Sequence, residues 1–220
     1  MKLKDLFENQ EYTFAQWAKD EGVDLNSKNF YCTSVKITSL QGAPTKVGGN
    51  FFCYDTKITS LQGAPTKVGG DFDCTNTEIT SLQGAPTNVG RDFNCDYTKI
   101  NSLQGAPTNV GRDFYCSSPD LTSLKNIHYN FHYIGQNVDL RDTPITSNVL
   151  GVLWIGCDKQ GRPLPNGKAP KKIELDNKHV KDILNRYLKK IHSKEMTPRE
   201  ALIHAQNELQ DANLDEYADL

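Results

Sequence analysis

A tandem repeat with a period of 21 residues constrains the fold more than any other feature of the sequence. Five cysteines recur at this interval, and the residues between them change little from one repeat to the next. They are Cys32, Cys53, Cys74, Cys95 and Cys116. A fixed period of about 20–50 residues is typical of solenoids, in which each repeat forms one layer and buries its apolar side against its neighbours. The sequence therefore predicts a solenoid.

Each repeat contains one segment that favours a short β-strand. Its pattern is Phe-x-Cys, and because side chains alternate faces along a strand, the phenylalanine and the cysteine both point inward. An Ile-Thr-Ser-Leu segment follows, and then Gln-Gly-Ala-Pro-Thr, which is a turn signal. A valine then re-enters the core. No segment between strands suits a full α-helix, so we expect an irregular, extended or 3₁₀ return path. The inward pairs are Phe30/Cys32, Phe51/Cys53, Phe72/Cys74, Phe93/Cys95 and Phe114/Cys116.

The chain divides into four parts. Solenoids need end pieces because a bare terminal layer exposes its core. We predict an N-terminal helical cap at 1–28, the repeats at 29–123, irregular repeats and a loop at 124–172, and a C-terminal helical cap or subdomain at 173–220.

Helix-capping signals support both end pieces. Thr13 is followed three residues later by glutamine, which fits a capping box. Thr197 precedes a proline and a glutamate, which is a strong helix start. Asp176 or Asn177 can cap a further helix between them. The apolar segment 149–155 is predicted to form one more buried layer beyond the regular repeats.

The repeat resembles the bacterial short type of leucine-rich repeat. Ile-Thr-Ser-Leu-x-x-x-Pro, followed by valine and a short strand, is similar to that family's Leu-Thr-Ser-Leu-Pro-x-Leu-Pro. The resemblance implies an α/β repeat fold, namely a leucine-rich-repeat-like solenoid with one parallel strand per repeat. The period of 21 and the Phe-x-Cys strands depart from the family pattern. Thr56, Thr77 and Thr98 occupy the family's asparagine ladder position, where a threonine hydroxyl could still bond neighbouring backbone.

A second resemblance concerns the amino-acid sequence of the whole repeat. Leu-Gln-Gly-Ala-Pro-Thr-x-Val-Gly-Gly-Asp-Phe is similar to repeat proteins encoded by large tailed bacteriophages. This resemblance implies a viral origin, and hence a protein that works in the cytoplasm of a bacterial host.

Charge and hydropathy exclude several classes of partner. The formal net charge is −2, whereas general nucleic-acid binding needs a basic footprint. No apolar run reaches the ~18 residues of a membrane span, and the N-terminus lacks the apolar core of a signal peptide. We therefore expect a cytoplasmic protein without a nucleic-acid or membrane partner.

The regular spacing of the cysteines favours packing over metal binding. Tetrahedral zinc needs ligands that converge on one point, whereas one cysteine per layer makes a row. A buried free cysteine behaves as a small hydrophobic residue, so we expect the five to be reduced and buried. Cys157 lies outside the row in a predicted loop, and we expect it to be the most reactive thiol.

The histidines offer only a weak alternative metal site. His128 and His132 are four residues apart and would share one face of a helix, but the segment lacks the acidic residue of a His-Glu-x-x-His motif. The sequence shows no phosphate loop, nucleophile elbow or paired acids. We therefore predict no catalytic residue, no metal and no cofactor.

The outward-facing strand positions vary from repeat to repeat, while the core and turn positions around them barely change. They hold five aspartates and no lysine or arginine, with aromatic residues at both ends of the row. Aromatic side chains are enriched where proteins bind one another. A solvated sheet face without a partner is the alternative interpretation. We predict a partner-binding site on this concave strand face, formed by Tyr31, Phe52, Tyr54, Asp71, Asp73, Asp92, Asn94, Asp96, Asp113 and Tyr115.

Three hypotheses about function follow. The first is a non-enzymatic protein-binding scaffold that binds and modulates a host protein. Its partner would have a basic surface, because stacked aspartates repel one another and a cationic surface relieves that repulsion. The second is a structural or assembly component of a virion or cell surface. The third is an enzyme that uses the C-terminal region, for which the sequence offers no titratable cluster.

Overall fold

The computed structural model describes residues 11–219 and shows a β-solenoid of about five turns. The chain passes through two parallel sheets in each turn. The longer sheet contains β1 (Phe30–Tyr31), β3 (Phe51–Phe52), β5 (Phe72–Asp73), β7 (Phe93–Asn94), β9 (Phe114–Tyr115), β11 (Asn137–Asp139) and β12 (Lys172–Glu174). The shorter sheet contains β2 (Lys46–Val47), β4 (Lys67–Val68), β6 (Asn88–Val89), β8 (Asn109–Val110) and β10 (Tyr133–Ile134). Strand order is β1-β3-β5-β7-β9-β11-β12 in one sheet and β10-β8-β6-β4-β2 in the other.

The strand register confirms the predicted stacking. Phe30 pairs with Phe51, and the same position pairs in every later repeat up to Phe114. At the last regular turn Phe114 pairs with Val138, so the period lengthens there, as the sequence indicates. The predicted strand in each repeat is therefore present. The structure adds a second, two-residue strand where the return path re-enters the core at valine.

A column of phenylalanine rings forms the centre of the core. From Phe51 to Phe114 the rings are stacked, with centroids 5.3–5.7 Å apart and planes within 8° of parallel. Phe14 and Phe131 end the column with edge-on contacts to Phe30 and Phe114. The column therefore ends in rings from the flanking segments rather than in solvent.

The cysteine and threonine columns lie beside the rings. All five cysteines of the row are free and buried, as predicted. The hydroxyls of Thr56, Thr77 and Thr98 donate to the carbonyls of the cysteines three residues earlier, at 2.7–2.8 Å. Threonine thus does bond neighbouring backbone, and it fixes the bend that follows each strand of the longer sheet.

The turns depend on glycine at one position of each repeat. Gly63 has a φ of +87°, which side chains rarely adopt. A Cβ atom built there would lie 2.8 Å from the backbone carbon of Leu40 in the previous turn. Both the local conformation and the contact between turns therefore require glycine.

A short helix covers the N-terminal end of the core. Helix α1 spans Phe14–Asp20, and its capping residue Thr13 accepts a hydrogen bond from the backbone amide of Gln16. Only this half of the predicted capping box forms, because the side-chain amide of Gln16 donates to Asp20 instead. Phe14 and Trp17 are buried against the first repeat. Residues 1–10 of the predicted cap lie outside the described residues.

The C-terminal region is helical. Helix α2 spans Ile127–Asn130, and a 3₁₀ helix spans Val149–Trp154. The latter forms the buried layer predicted at 149–155, although its backbone is helical rather than extended. Helix α3 spans Lys178–His192, helix α4 spans Pro198–Asp211, and a last 3₁₀ helix spans Asp215–Tyr217.

Both helix-start predictions in this region are confirmed. Asn177, rather than Asp176, caps α3, because its side chain accepts from the amides of His179 and Val180. Thr197 forms a complete capping box at the start of α4. The α3 and α4 helices pack on each other and on the 3₁₀ helix that contains Val149.

The C-terminal edge of the longer sheet is closed by one side chain. Asn185 of α3 accepts from the amide of Ile173 in β12 and donates to its carbonyl, both at 2.8 Å. This side chain thus takes the place of the next strand. None of the helices within 11–219 has the length and apolar character needed to cross a bilayer.

Candidate functional site

The strand register places the predicted site residues in rows on the outward face of the longer sheet. One row, the central row, runs through Tyr31, Phe52, Asp73, Asn94, Tyr115, Asp139 and Glu174. The first five all belong to the predicted set. The sequence did not indicate the last two, because the spacing departs from 21 residues after β9.

A second row, the amide ladder, has a structural role. Asp71 Oδ1 accepts from the backbone amide of Asp92, and Asp92 Oδ1 accepts from that of Asp113, both at 3.0 Å. The same pattern continues on either side: the backbone amide of Asp71 donates to Asn50 Oδ1, and that of Asn137 donates to Asp113 Oδ1, both at 2.9 Å. These aspartates therefore bind one turn to the next, and Asp113 is buried.

Arginines partly neutralise this ladder, which corrects the expectation that its charge has no counterpart. Arg91 Nε lies 3.4 Å from Asp71 Oδ1, and Arg112 Nε lies 3.7 Å from Asp92 Oδ1. Each arginine lies two residues before the next strand of the longer sheet. Both arginines lie in the turn between strands, and their side chains reach back to an aspartate of the preceding layer.

An aromatic patch occupies the N-terminal end of the outward face. It consists of Tyr31, Phe52 and Tyr54, all three predicted as site residues. The rings of Tyr31 and Phe52 are 5.4 Å apart and edge-on, and those of Phe52 and Tyr54 are 6.1 Å apart. Tyr31 is 56% exposed. The patch presents apolar surface at the end of the sheet where strand β1 has no further neighbour in residues 11–219.

Three adjoining depressions lie along the outward face, and Tyr115 lines all of them. The one beside Phe52 and Asp73 measures about 190 Å³. A second, about 290 Å³, is lined by Asp139 and Glu174 among others. The third is the largest at about 470 Å³. The structure thus joins the predicted residues to a C-terminal extension of the same surface.

The largest of these three depressions carries net negative charge. Four of its nine lining residues are acidic and one, Arg141, is basic; the acidic residues are Asp96, Asp139, Asp142 and Asp176. Arg141 forms a two-pronged ion pair with Asp139, with Nε 2.9 Å from Oδ1 and a terminal nitrogen 2.6 Å from Oδ2. Asp142 and Asp176 come together because β12 brings a distant segment beside β11, so no local pattern indicates this cluster.

Burial alters the titration of three predicted site residues. Partial desolvation raises the pKa of Asp73 and of Asp96 above the usual range for a carboxyl group. Burial also raises the pKa of the Tyr115 phenol. Neither Asp73 nor Asp96 forms an ion pair within the described part of the chain. A cation brought to this surface would therefore stabilise both carboxylates.

Tyr97 adds an exposed aromatic ring that the sequence analysis did not single out. Its backbone has a φ of +54°, and its side chain is 65% exposed at the rim of the largest depression. The equivalent positions in other repeats are Ser34, Asp55 and Asn76. A bulky residue in this conformation is uncommon, and such residues cluster at binding sites.

The structure gives no support to the metal and reactive-thiol alternatives. His128 is buried in α2, whereas His132 lies beyond that helix and its Nε2 is 3.1 Å from the carbonyl of Pro165. Among residues 11–219 no group of three potential ligands could hold a metal ion. Cys157 is buried, and desolvation raises its pKa to about 11, so little thiolate is present at neutral pH. It is nevertheless the most exposed of the six cysteines, and its being the most reactive of them stays a prediction.

Comparison of the chain with models of known protein families, with curated proteins and with solved structures finds no match.

Proposed function

We propose that this protein is a non-enzymatic scaffold that binds a partner protein through the outward face of its longer sheet. The observation that carries the proposal is the run of three adjoining depressions around Tyr115. It begins next to the exposed aromatic patch and ends in the acidic cluster around Asp139. Aromatic anchors beside a polar, charged rim are the usual anatomy of a protein interface.

The charges favour a partner with a basic surface. Asp73 and Asp96 are partly desolvated, and neither forms an ion pair in residues 11–219. Placing a lysine or arginine of the partner beside them would remove that unfavourable term and add a charge-assisted hydrogen bond. Because exposed charge pairs are screened by salt, binding should weaken as ionic strength rises.

The sequence resemblances support two further points of the proposal, namely the kind of partner and the place of action. A likeness to the bacterial short leucine-rich repeat supports a protein-binding role for the strand face. The likeness to repeat proteins of large tailed bacteriophages supports a bacterial host protein as partner and the host cytoplasm as the place of action. The binding partner would then be a protein whose activity the scaffold modulates.

Affinity capture from bacterial lysate, followed by mass spectrometry, tests the proposal. The bait variant Asp73→Asn/Asp96→Asn removes two unpaired carboxylates while keeping the amide-ladder aspartates that hold the turns together. The control variant Asp120→Asn/Asp211→Asn removes the same charge from exposed positions outside the surface. We expect a captured basic protein to be lost from the first variant and retained by the control.

Two results would contradict this assignment. Retention of the captured protein by both variants would place the interface elsewhere. Co-sedimentation of the protein with phage particles, without a host partner, would favour the virion component that the sequence analysis left as the alternative.

A further inference from the structure

The shorter sheet carries a groove that the outward face of the longer sheet does not share. A column of glycines, at 48, 69, 90, 111 and 135, leaves this part of the surface without side chains. A Cβ atom on Gly90 would lie 2.1 Å from the carbonyl oxygen of Gly69. Close stacking of the turns therefore requires glycine here, and the groove is a direct consequence of the stacking.

The groove runs across all five strands of the shorter sheet. Its volume is about 530 Å³, and its lining is almost entirely apolar. Five strands at a spacing of about 4.8 Å span about 19 Å, which equals about six residues of extended polypeptide. The outward residues of the five strands line it in the order Lys46, Lys67, Asn88, Asn109 and Tyr133.

One end of the groove is cationic without an opposing charge. Lys46 and Lys67 are paired in register, exposed, and form no ion pair with any carboxylate in residues 11–219. Lys57 and Lys99, in contrast, both lie beside Glu78. The four repeat segments 39–48, 60–69, 81–90 and 102–111 contain no aspartate or glutamate.

The middle and far end of the groove offer amides and an aromatic ring. Asn109 Nδ2 donates to Asn88 Oδ1 at 3.2 Å, so the two side-chain amides are linked along the strand row, and both residues are half-exposed. Tyr133 closes the far end, with Lys168 Nζ 5.5 Å from its ring centroid. Apolar surface thus continues from the lysine end to Tyr133 along a path of fixed length, with the half-exposed side chains of Asn88 and Asn109 beside it.

We propose that this groove binds an extended acidic peptide segment of a partner protein. Carboxylates of the segment bind the stacked ammonium groups of Lys46 and Lys67. Its backbone carbonyls accept from the asparagine amides, and its apolar side chains cover the glycine column and Tyr133. This surface lies on a different sheet from the proposed partner-binding face and has the opposite charge, so each can be occupied while the other is free.

Groove shape and charge favour a peptide over other acidic ligands. A nucleic acid needs a broad basic footprint, whereas the row itself holds two lysines and the chain has a net charge of −2. The groove is open along its length, so a hydrocarbon chain lying in it would keep much of its surface in water. An extended peptide buries small apolar side chains and still leaves its remaining polar groups hydrated.

Fluorescence anisotropy of the full chain tests the proposal. The probe is a fluorescein-labelled peptide of glutamate, valine and glycine, and its control replaces each glutamate with lysine. We expect the acidic probe to bind and the basic one not to bind. Lys46→Gln/Lys67→Gln should weaken binding about tenfold, because exposed charge pairs contribute up to about 1 kcal/mol each. Lys57→Gln/Lys99→Gln removes the same charge elsewhere and should leave affinity unchanged.

A variant that leaves the net charge unchanged distinguishes binding in the groove from non-specific electrostatic attraction of the probe. Asn88→Tyr places a ring over the glycine column and should weaken the acidic probe while the circular dichroism spectrum stays native. Equal weakening in the Lys57/Lys99 control would overturn the proposal, as would no binding of the acidic probe. Preferential binding of a labelled single-stranded oligonucleotide, or self-association that the Lys46/Lys67 variant abolishes, would assign the groove to a different occupant.

Discussion

The two sheets of the solenoid use the same repeat for opposite purposes. On the outward face of the longer sheet, the central row holds aromatic, acidic and amide side chains in turn, while the regular turns between its strands up to β9 remain nearly the same. Along the shorter sheet, the glycine column does not change at all, because the turns contact each other there through backbone atoms. The outward side-chain positions of both sheets thus vary, whereas the glycine column beside the shorter sheet does not, and this difference decides which positions of a repeat can diversify into a specific binding surface.

The sharpest way to test this difference is to add a single methyl group to the glycine column. Gly90→Ala should lower the free energy of unfolding by on the order of 3 kcal/mol, because overpacking against backbone cannot relax. Urea denaturation measures the change. Gln83→Ala, at an exposed position of the same repeat, is the control and should stay within about 0.5 kcal/mol of the parent protein. A stable Gly90→Ala protein would show that the turns are not in close contact.

The amide ladder provides the second test. Asp92→Ala should cost about 2 kcal/mol, because the buried amide of Asp113 loses its acceptor. Asp92→Asn keeps an acceptor oxygen and should cost much less. Thermal unfolding of the two variants compares them. If both lost stability equally, the ion pair with Arg112, rather than the hydrogen bond, would be the main contribution.

The aromatic patch should separate stability from binding. Tyr31→Ala should change the free energy of unfolding by no more than about 1 kcal/mol, since the ring is largely exposed and contacts one cross-strand neighbour. The same change should reduce affinity for the captured partner, because exposed aromatic rings anchor interfaces. Denaturation and a binding titration on one sample check both statements. Unchanged affinity would remove the patch from the interface.

The smallest effect concerns the unpaired carboxylates. Burial raises the pKa of Asp73 and Asp96, so the folded state binds these protons more tightly than the unfolded state does. Their contribution to stability therefore falls as pH rises from about 4 through the raised pKa. Asp73→Asn/Asp96→Asn should be more stable than the parent protein at pH 7, and the gain should vanish at acidic pH. A gain independent of pH would have another cause.

Periodicity made the longer sheet and its core predictable. The phenylalanine and cysteine columns appear in the sequence as exact repeats, and their strands and burial follow from side-chain alternation. The second sheet was not predicted, because only the second residue of each of its strands is buried, so it has no pair of inward side chains comparable to Phe-x-Cys. The amide ladder could have been found, since asparagine or aspartate recurs every 21 residues from Asn29.

The candidate site was predictable only where the period holds. Tyr31 to Tyr115 fall in register because their spacing is constant. Asp139, Arg141 and Asp176 join the same surface through an irregular turn and a strand from a distant segment, so their proximity depends on tertiary packing. The pairing of Arg91 with Asp71 also escapes sequence analysis, because it depends on which way a long side chain turns.

The hydrogen bonds of Asn185 to strand β12 have a consequence for how such a protein can change in length. Growth of the stack at its C-terminal end is blocked, because this side chain already satisfies the strand that a further turn would need. Growth in the interior is unrestricted, since each repeat contacts only its neighbours. Duplication of one 21-residue unit between Cys74 and Cys95 would add one strand to each sheet and leave both ends intact. The near identity of the existing units is what such a history of internal duplication would leave behind.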